Sequence, residues 1–271
     1  EYNGAAFSGW QYQTVSRTVQ GEIEKAIAVF TKEHVRVCGA GRTDAGVHAA
    51  GQVASFTLES AVDPYRLFRA LNGILPRDLR AISADLCDPG FDPRRSSTGK
   101  TYVYRILNRP AAPVLLENRV FHFPFRLDAK LMKEVAQSFE GKHNFSAFRS
   151  SDCEAVLTKR DLHRCSVTGE AGSLICIEVT ARSFLKNMIR IMAGTLLEIG
   201  NGRFPPDRIA TVLETGDRNQ AGPTAPGHGL TLEKVYFGPG FTDGIDWPVY
   251  IPVRPSEGRP EGEGFGHLEK P

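Results

Sequence analysis

The chain has 271 residues, 41% of them hydrophobic, and a net charge of +2 from 33 Lys or Arg against 31 Asp or Glu. That length and apolar content support a real core in one large or two ordinary domains. No apolar run approaches the roughly 20 residues of a helical membrane span and no charged-then-apolar leader is visible, so no membrane partner is expected. The chain begins at Glu1 rather than Met, which leaves room for upstream residues forming a first strand.

In chain order, Val19, Ile23, Ala26, Ile27 and Phe30 recur on one helical face and predict a helix over 17–32. Val35–Cys38 and Gln52–Leu58 read as strands bracketing a glycine-rich loop. A second helix is predicted over Pro64–Leu75, with Pro near its first turn, and a strand over Arg80–Leu86. This first unit, of about ninety residues, reads as strands crossed by two helices on one face.

The second unit repeats the plan without a residue-level repeat. Lys100–Asn108 alternates as a strand with Tyr102, Tyr104 and Ile106 on one face, and Asp128 caps a helix carrying Leu131, Val135 and Phe139 inward. Arg160–Thr168 and Ser173–Ser183 predict a hairpin about Gly169 and Gly172. A helix over Leu185–Ile199, a short one from Pro205 or Pro206 to Leu213 and a strand over Leu230–Phe237 complete the unit. The expected class is α+β, with domains at 1–92 and 93–240 leaving a cleft between them. Residues 242–271 carry six acids against three bases and ten Gly or Pro, and read as a weakly ordered acidic tail over 241–271. The rest of the chain is therefore more basic than +2 suggests, which permits a nucleic-acid partner. Five cysteines, at 38, 87, 153, 165 and 176, form no Cys-x-x-Cys pair, and reduced thiols in a cytoplasmic protein are expected.

The most informative stretch is Gly39-Ala-Gly-Arg-Thr-Asp-Ala-Gly-Val-His-Ala49. Asp44 is presented among small residues, Gly41 and Gly46 leave the backbone bare on both sides, and Arg42 stands two positions away, able on an extended chain to meet the same ligand. A dinucleotide fingerprint would need Gly at 44, and a phosphate-binding P-loop would need Gly-Lys-Ser/Thr, which is absent. Asp44 and His48 at a spacing of four suit two metal ligands on a helix, but the glycines argue against a helix and no further ligand cluster is near, so no metal is expected. The bland alternative is a surface turn built from turn formers.

Arg94, Arg95, Lys100 and Arg105 interleave with Tyr102 and Tyr104, a composition that suits RNA phosphates and bases. The alternative is a solvated strand whose tyrosines pack in the core. Arg190 lies among Met188, Ile189, Ile191 and Met192. It either snorkels to water or is buried against a carboxylate, and the cost of unpaired burial favours snorkelling. The His143–Arg149 segment, with Phe148 and Arg149, either lines a cleft or caps a helix. His122, His163 and His228 read as structural.

Together the Glu1–Gly4 opening with Gly9-Trp10-Gln11, the Gly41–His48 signature, Gly51-Gln52-Val53, Phe91–Tyr104, Asn144–Arg149, Phe184–Gly194 and Gly222–Pro226 resemble the TruA family of tRNA pseudouridine synthases. The resemblance runs to about Phe237. It implies the pseudouridine synthase fold, two ferredoxin-like or RRM-like α+β halves about a central cleft. It also implies an isomerase, an intramolecular transferase that converts uridine to pseudouridine at positions 38 to 40 in the anticodon arm of tRNA, without cofactor or metal. By the same resemblance Asp44 is the nucleophile, attacking the sugar C1′ or the base C6. Tyr102 stacks on the substrate, Arg190 is the buried arginine and Arg42 helps displace the target base. The expected substrate-binding set is Tyr102, Arg94, Arg95, Lys100, Phe148, Arg149 and Leu230. A cytoplasmic homodimer in which one tRNA reaches both subunits completes the expectation.

Overall fold

A computed structural model describes residues 1–238. The acidic tail and the last residues of the predicted second domain lie outside the described residues. The first helix, α1 (Val19–Thr31), starts at a Thr18 cap whose hydroxyl accepts from Gly21 N–H, and it buries Val19, Ala26 and Ile27. It packs on α2 (Pro64–Ile74), whose Pro64 follows an Asp63 cap accepting from Arg66 N–H at 2.8 Å.

The strands between these helices are much shorter than the pattern predicts: β1 (Cys38–Gly39), β2 (His48–Ala49) and β3 (Ala54–Ser55). No strand forms over 80–86. Side chains have taken the backbone groups a ladder would need. Glu24 Oε1 accepts from Val37 N–H at 3.0 Å, the Glu33 carboxylate accepts from the N–H groups of Glu59 and Ser60, and the Asn72 amide bonds both Ala81 N–H and Ala81 C=O.

The second half holds most of the sheet. A single turn, α3 (Pro93–Ser96), leads into β4 (Ser97–Asn108), and β5 (Phe121–Phe123) pairs in parallel with the end of β4. Then come α4 (Ala129–Ala136), capped by Asp128 through Leu131 N–H, and β6 (Gly141–Asn144). The predicted hairpin is β7 (Lys159–Thr168) and β8 (Leu174–Ala181). It is followed by α5 (Met188–Gly200), α6 (Arg208–Thr215) and β9 (Leu230–Phe237). The sheet runs β2-β9-β4-β8-β7-β6, with β4 antiparallel to β9 on one side and to β8 on the other. The parallel pairing of β2 with β9, His48 opposite Thr231, ties the glycine-rich loop to the sheet.

Buried nearly all round, α5 packs on α4 and β4. Against it lies the strap 222–229. Gly222 N–H donates to Thr195 Oγ1 at 2.9 Å, and a methyl group at Gly194 would overlap the Pro223 carbonyl. In an ordinary helix Gly→Ala stabilises by about 1 kcal/mol. Here the overlap with backbone dominates, and Gly194→Ala is expected to destabilise by about 1–3 kcal/mol. A lowered urea midpoint with unchanged slope checks this, and an unchanged or raised midpoint would contradict the packing.

Candidate active site

Asp44 lies in the loop from β1 to β2, and its neighbours fasten that loop from below. Thr43 Oγ1 and the Tyr2 hydroxyl are 2.8 Å apart, Thr43 C=O accepts from Trp10 N–H at 3.0 Å, and Gln52 Nε2 donates to Gly41 C=O at 2.8 Å. Burial pushes the Tyr2 phenol up to about 12, so this fastener stays neutral. Gly9, at φ +93°, has no room for a side chain above the Thr43 carbonyl. Asp44 C=O accepts from Val47 N–H at 3.1 Å, closing the turn that presents the carboxylate.

His48 is a fastener too. Its Nδ1 accepts from Gly4 N–H at 3.0 Å, which leaves the proton on Nε2, facing the His228 carbonyl at 3.1 Å. Both ring nitrogens are engaged, so the imidazole does not share a ligand with Asp44. Burial first, against the partial opposition of the His228 carbonyl, lowers its pKa below 6.5.

The partner of Asp44 is Arg190, in the first turn of α5, with Nη1 3.4 Å from Asp44 Oδ2 and side chains 18% and 27% exposed for Arg190 and Asp44. The snorkelling alternative is therefore replaced by pairing with a carboxylate. The guanidinium is fixed from behind: Nε donates to Ala225 C=O at 2.7 Å and Nη1 to Asn187 Oδ1 at 2.9 Å. Asn187 adopts a left-handed conformation at φ 63°, which Asn tolerates better than most residues, and its amide holds Arg190 instead of capping the helix. Ala225 N–H donates back to Arg190 C=O at 3.1 Å. On its other side the strap meets the Asp44 loop, where a methyl group at Gly227 would overlap Ala45 C=O. Lys186 lies close enough to feel the Asp44 charge, although its ammonium pairs with Asp152.

Tyr102 is buried on β4, edge-on to Phe184 at 5.3 Å between ring centroids. Burial, with smaller contributions from Tyr2 and Asp44, raises its pKa well above the ordinary phenol value, so it presents a neutral hydroxyl and a ring. That hydroxyl stands 3.4 Å from where a methyl group on Gly41 would be, and finds no hydrogen-bond partner among the described residues. Tyr104 is core, its hydroxyl donating to Pro226 C=O at 2.9 Å.

The remaining predicted residues divide. Arg42 is exposed and forms no ion pair with Asp44. Arg94 and Arg95 lie on α3, with the Arg95 side chain 89% exposed beside Asp92. Lys100, expected among the substrate-binding residues, is buried with its ammonium donating to Ser97 Oγ at 2.8 Å. Leu230, also buried, stands opposite Tyr104 across the ladder. Arg149 donates to Ala155 C=O at 3.0 Å. Phe148 is a correction: fully buried against Phe139 and Phe145, it offers no face to a ligand, because its ring completes the core beside α4. A shallow hollow of about 690 Å³, lined by residues including Arg126, Lys133 and Glu170, contains none of the predicted residues. No local signal points to the Tyr2–Thr43 contact or the Ala225 anchor, which join residues far apart in the chain, or to the left-handed Asn187 that anchors Arg190 from three residues away.

The profile of the family described as tRNA pseudouridine synthase matches residues 1–92 and 135–238. The chain is 41% identical over 237 residues to tRNA pseudouridine synthase A 2 of Clostridium perfringens, covering 88% of this chain and 97% of that protein. It is 43% identical over 237 residues to tRNA pseudouridine synthase A of Caldicellulosiruptor saccharolyticus, with the same coverage. It is 40% identical over 238 residues to that of Bacillus subtilis, covering 87% of this chain and 96% of that one. One chain of the solved Cbf5-Nop10-Gar1 complex gives a TM-score of 0.32 at 14% identity, over 86% of this chain and 49% of that one, a likeness too slight to add weight. The family profile and these relatives define an α+β RNA-modifying enzyme. The chain belongs to the tRNA pseudouridine synthase family.

The lowered pKa of His48 has a consequence for stability. The unfolded chain takes up the proton first, so the His48 contribution is complete above about pH 6.5 and is lost as pH falls through the lower folded value. Urea midpoints should therefore drop between about pH 7 and pH 5, and His48→Asn should reduce that dependence. Equal pH dependence in the two proteins would contradict the assigned tautomer.

Proposed function

We propose that this chain isomerises uridine to pseudouridine in the anticodon arm of tRNA, with Asp44 as the nucleophile. The observation that carries the reading is the Asp44 carboxylate, presented by a fastened loop and met by a guanidinium from a helix 146 residues away, in a chain 40–43% identical to tRNA pseudouridine synthases over most of its length. The 1–92 half supplies the nucleophile and the 93–240 half supplies Arg190.

The reaction breaks the N1–C1′ bond, turns the uracil and forms a C5–C1′ bond, while C5 loses a proton and N1 gains one. No atom is gained or lost, so a single carboxylate suffices to hold one fragment while the other rotates. Attack at C1′ and attack at C6 both require the group Arg190 orients. A base in a duplex is inaccessible to Asp44, and extruding it costs a few kcal/mol. Arg42, exposed and without an ion-pair partner among the described residues, is available to hold the vacated space. Tyr102 offers its ring to the extruded uracil and its hydroxyl to a uracil oxygen. Because that phenol is neutral at physiological pH, it suits orienting the base better than removing the C5 proton.

Arg94 and Arg95, exposed on α3, suit the RNA backbone. The reading extends to a cytoplasmic homodimer in which one tRNA reaches both subunits. Support comes from the five free cysteines, two of them exposed, and from Val114 and Leu115 standing out on an apolar loop tip.

Asp44→Asn should keep tRNA affinity and lower turnover on the order of 10⁴-fold or more, because the attacking charge is gone while the binding surface stays. Tritium release from tRNA carrying C5-labelled uridine, alongside filter binding, measures both. Release at the wild-type rate would overturn the nucleophile assignment.

A further inference from the structure

Lys100, expected in the substrate-binding set, takes no part in the contacts around Asp44, and its surroundings are unusual for a lysine. Only 7% of it is exposed, and its ammonium has a single acceptor, Ser97 Oγ. Among the described residues no carboxylate pairs with it. Lys25, Lys130, Lys142 and Lys186 each stand within 4.0 Å of a carboxylate. They do so on the surface, where pairing contributes little. The lysine that most needs a counter-ion therefore has none.

Its charged neighbours worsen the imbalance. Arg94 lies six residues before it, on α3, and Arg182 follows Ala181, the residue opposite Lys100 across the β4–β8 ladder. Both are exposed, and both push the Lys100 ammonium toward its neutral form, second only to burial, so that its pKa falls to about 8. Arg95, by contrast, turns to Asp92. Three cations thus act on one another, one of them buried, and among the described residues none of the three side chains is ion-paired, since Asp92, the acid at the start of α3, bonds the Arg94 and Arg95 N–H groups and faces the Arg95 side chain.

The position identifies the missing anion. The Lys100 stem passes Gly41 at the same point as the Tyr102 hydroxyl: a methyl group on Gly41 would be 3.3 Å from Lys100 Cε and 3.4 Å from Tyr102 Oη. Lys100 and Tyr102 are two residues apart on one face of β4, a displacement of about 6.7 Å. A nucleotide whose uracil lies at Tyr102 carries its phosphodiester linkages within such a step of the base, and the charge they bring is the one the site lacks.

We propose that Lys100, held in place by Ser97, forms with Arg94 and Arg182 a built site for one phosphodiester flanking the target uridine. The proposal rests on the reading of this chain as an RNA uridine isomerase. It differs from general attraction to RNA in predicting that a single linkage is read, through a lysine already desolvated before the RNA arrives. Exposed cations gain little per contact and are screened by salt, whereas a buried, preorganised one contributes as a charged hydrogen bond does.

The test pairs protein variants with altered RNA. Lys100→Met keeps the stem and removes the charge; Arg182→Gln, at the rim, reports on the same site without touching the interior. Each is measured for affinity and single-turnover rate on an anticodon-arm RNA, and on two versions in which an uncharged methylphosphonate replaces the linkage 5′ or 3′ of the target uridine. With the natural RNA, Lys100→Met should lower affinity or rate by about 10- to 100-fold. One of the two methylphosphonate RNAs should lower the wild-type value comparably, and with that RNA Lys100→Met should cost nothing further. Arg182→Gln should show the same non-additivity at the same linkage. Without RNA, Lys100→Met should unfold at higher urea than wild type at neutral pH, because an uncompensated buried charge has been removed. Wild-type behaviour of Lys100→Met on natural RNA, or additive losses at both linkages, would overturn the proposal while leaving the isomerase reading intact. Absence of pseudouridine from the wild-type reaction would instead remove that reading.

Discussion

Everything at this site depends on how closely the strap 222–229 approaches its two neighbours. On one side it touches α5 through Gly194 and Gly222, and on the other it touches the Asp44 loop through Gly227 and Ala45. Its Ala225 carbonyl holds Arg190 Nε, so one short segment sets the distance between a guanidinium and a carboxylate far apart in sequence. At 3.4 Å and an effective dielectric of about 20, the gross attraction is about 5 kcal/mol, much of it offset by desolvation. The pair is thus better understood as positioning than as glue. Stability comes from the apolar contacts of α5 and the sheet, and the ion pair directs one oxygen.

The division of labour within the signature follows from that constraint. Thr43, His48 and the glycines are engaged in fastening, through Tyr2, Gly4, Trp10 and the strap. Asp44 keeps a quarter of its side chain open, and Arg42 stays exposed. Under the proposed function, a loop fastened on either side of Asp44 and Arg42 can meet an extruded nucleotide with little reorganisation. Preorganisation of this kind is where the rate advantage of a positioned carboxylate originates.

Much of this was legible in the sequence, for identifiable reasons. The Leu230–Phe237 strand, the Pro64 helix start and the Asp128 cap rest on local chemistry, and the structure keeps them. The strands of the first half shrank because Glu24, Glu33 and Asn72 bond the backbone there, a competition that strand propensity does not register. The burial of Lys100 was not legible, because β4 is covered on both faces and alternation loses its meaning there. Phe148, in a polar loop, looked like a cleft residue, although its ring turns into the core. The partner of Arg190 was beyond local reasoning, since only the folded strap brings helix and loop together.

The central claim is that geometry, more than charge alone, makes Arg190 effective, and Arg190→Lys tests it most directly. A lysine keeps the positive charge but cannot hold Ala225 C=O and Asn187 Oδ1 while also facing Asp44. Single-turnover pseudouridine formation with saturating tRNA should fall about 100-fold or more, with tRNA affinity unchanged. A wild-type rate in Arg190→Lys would contradict the account.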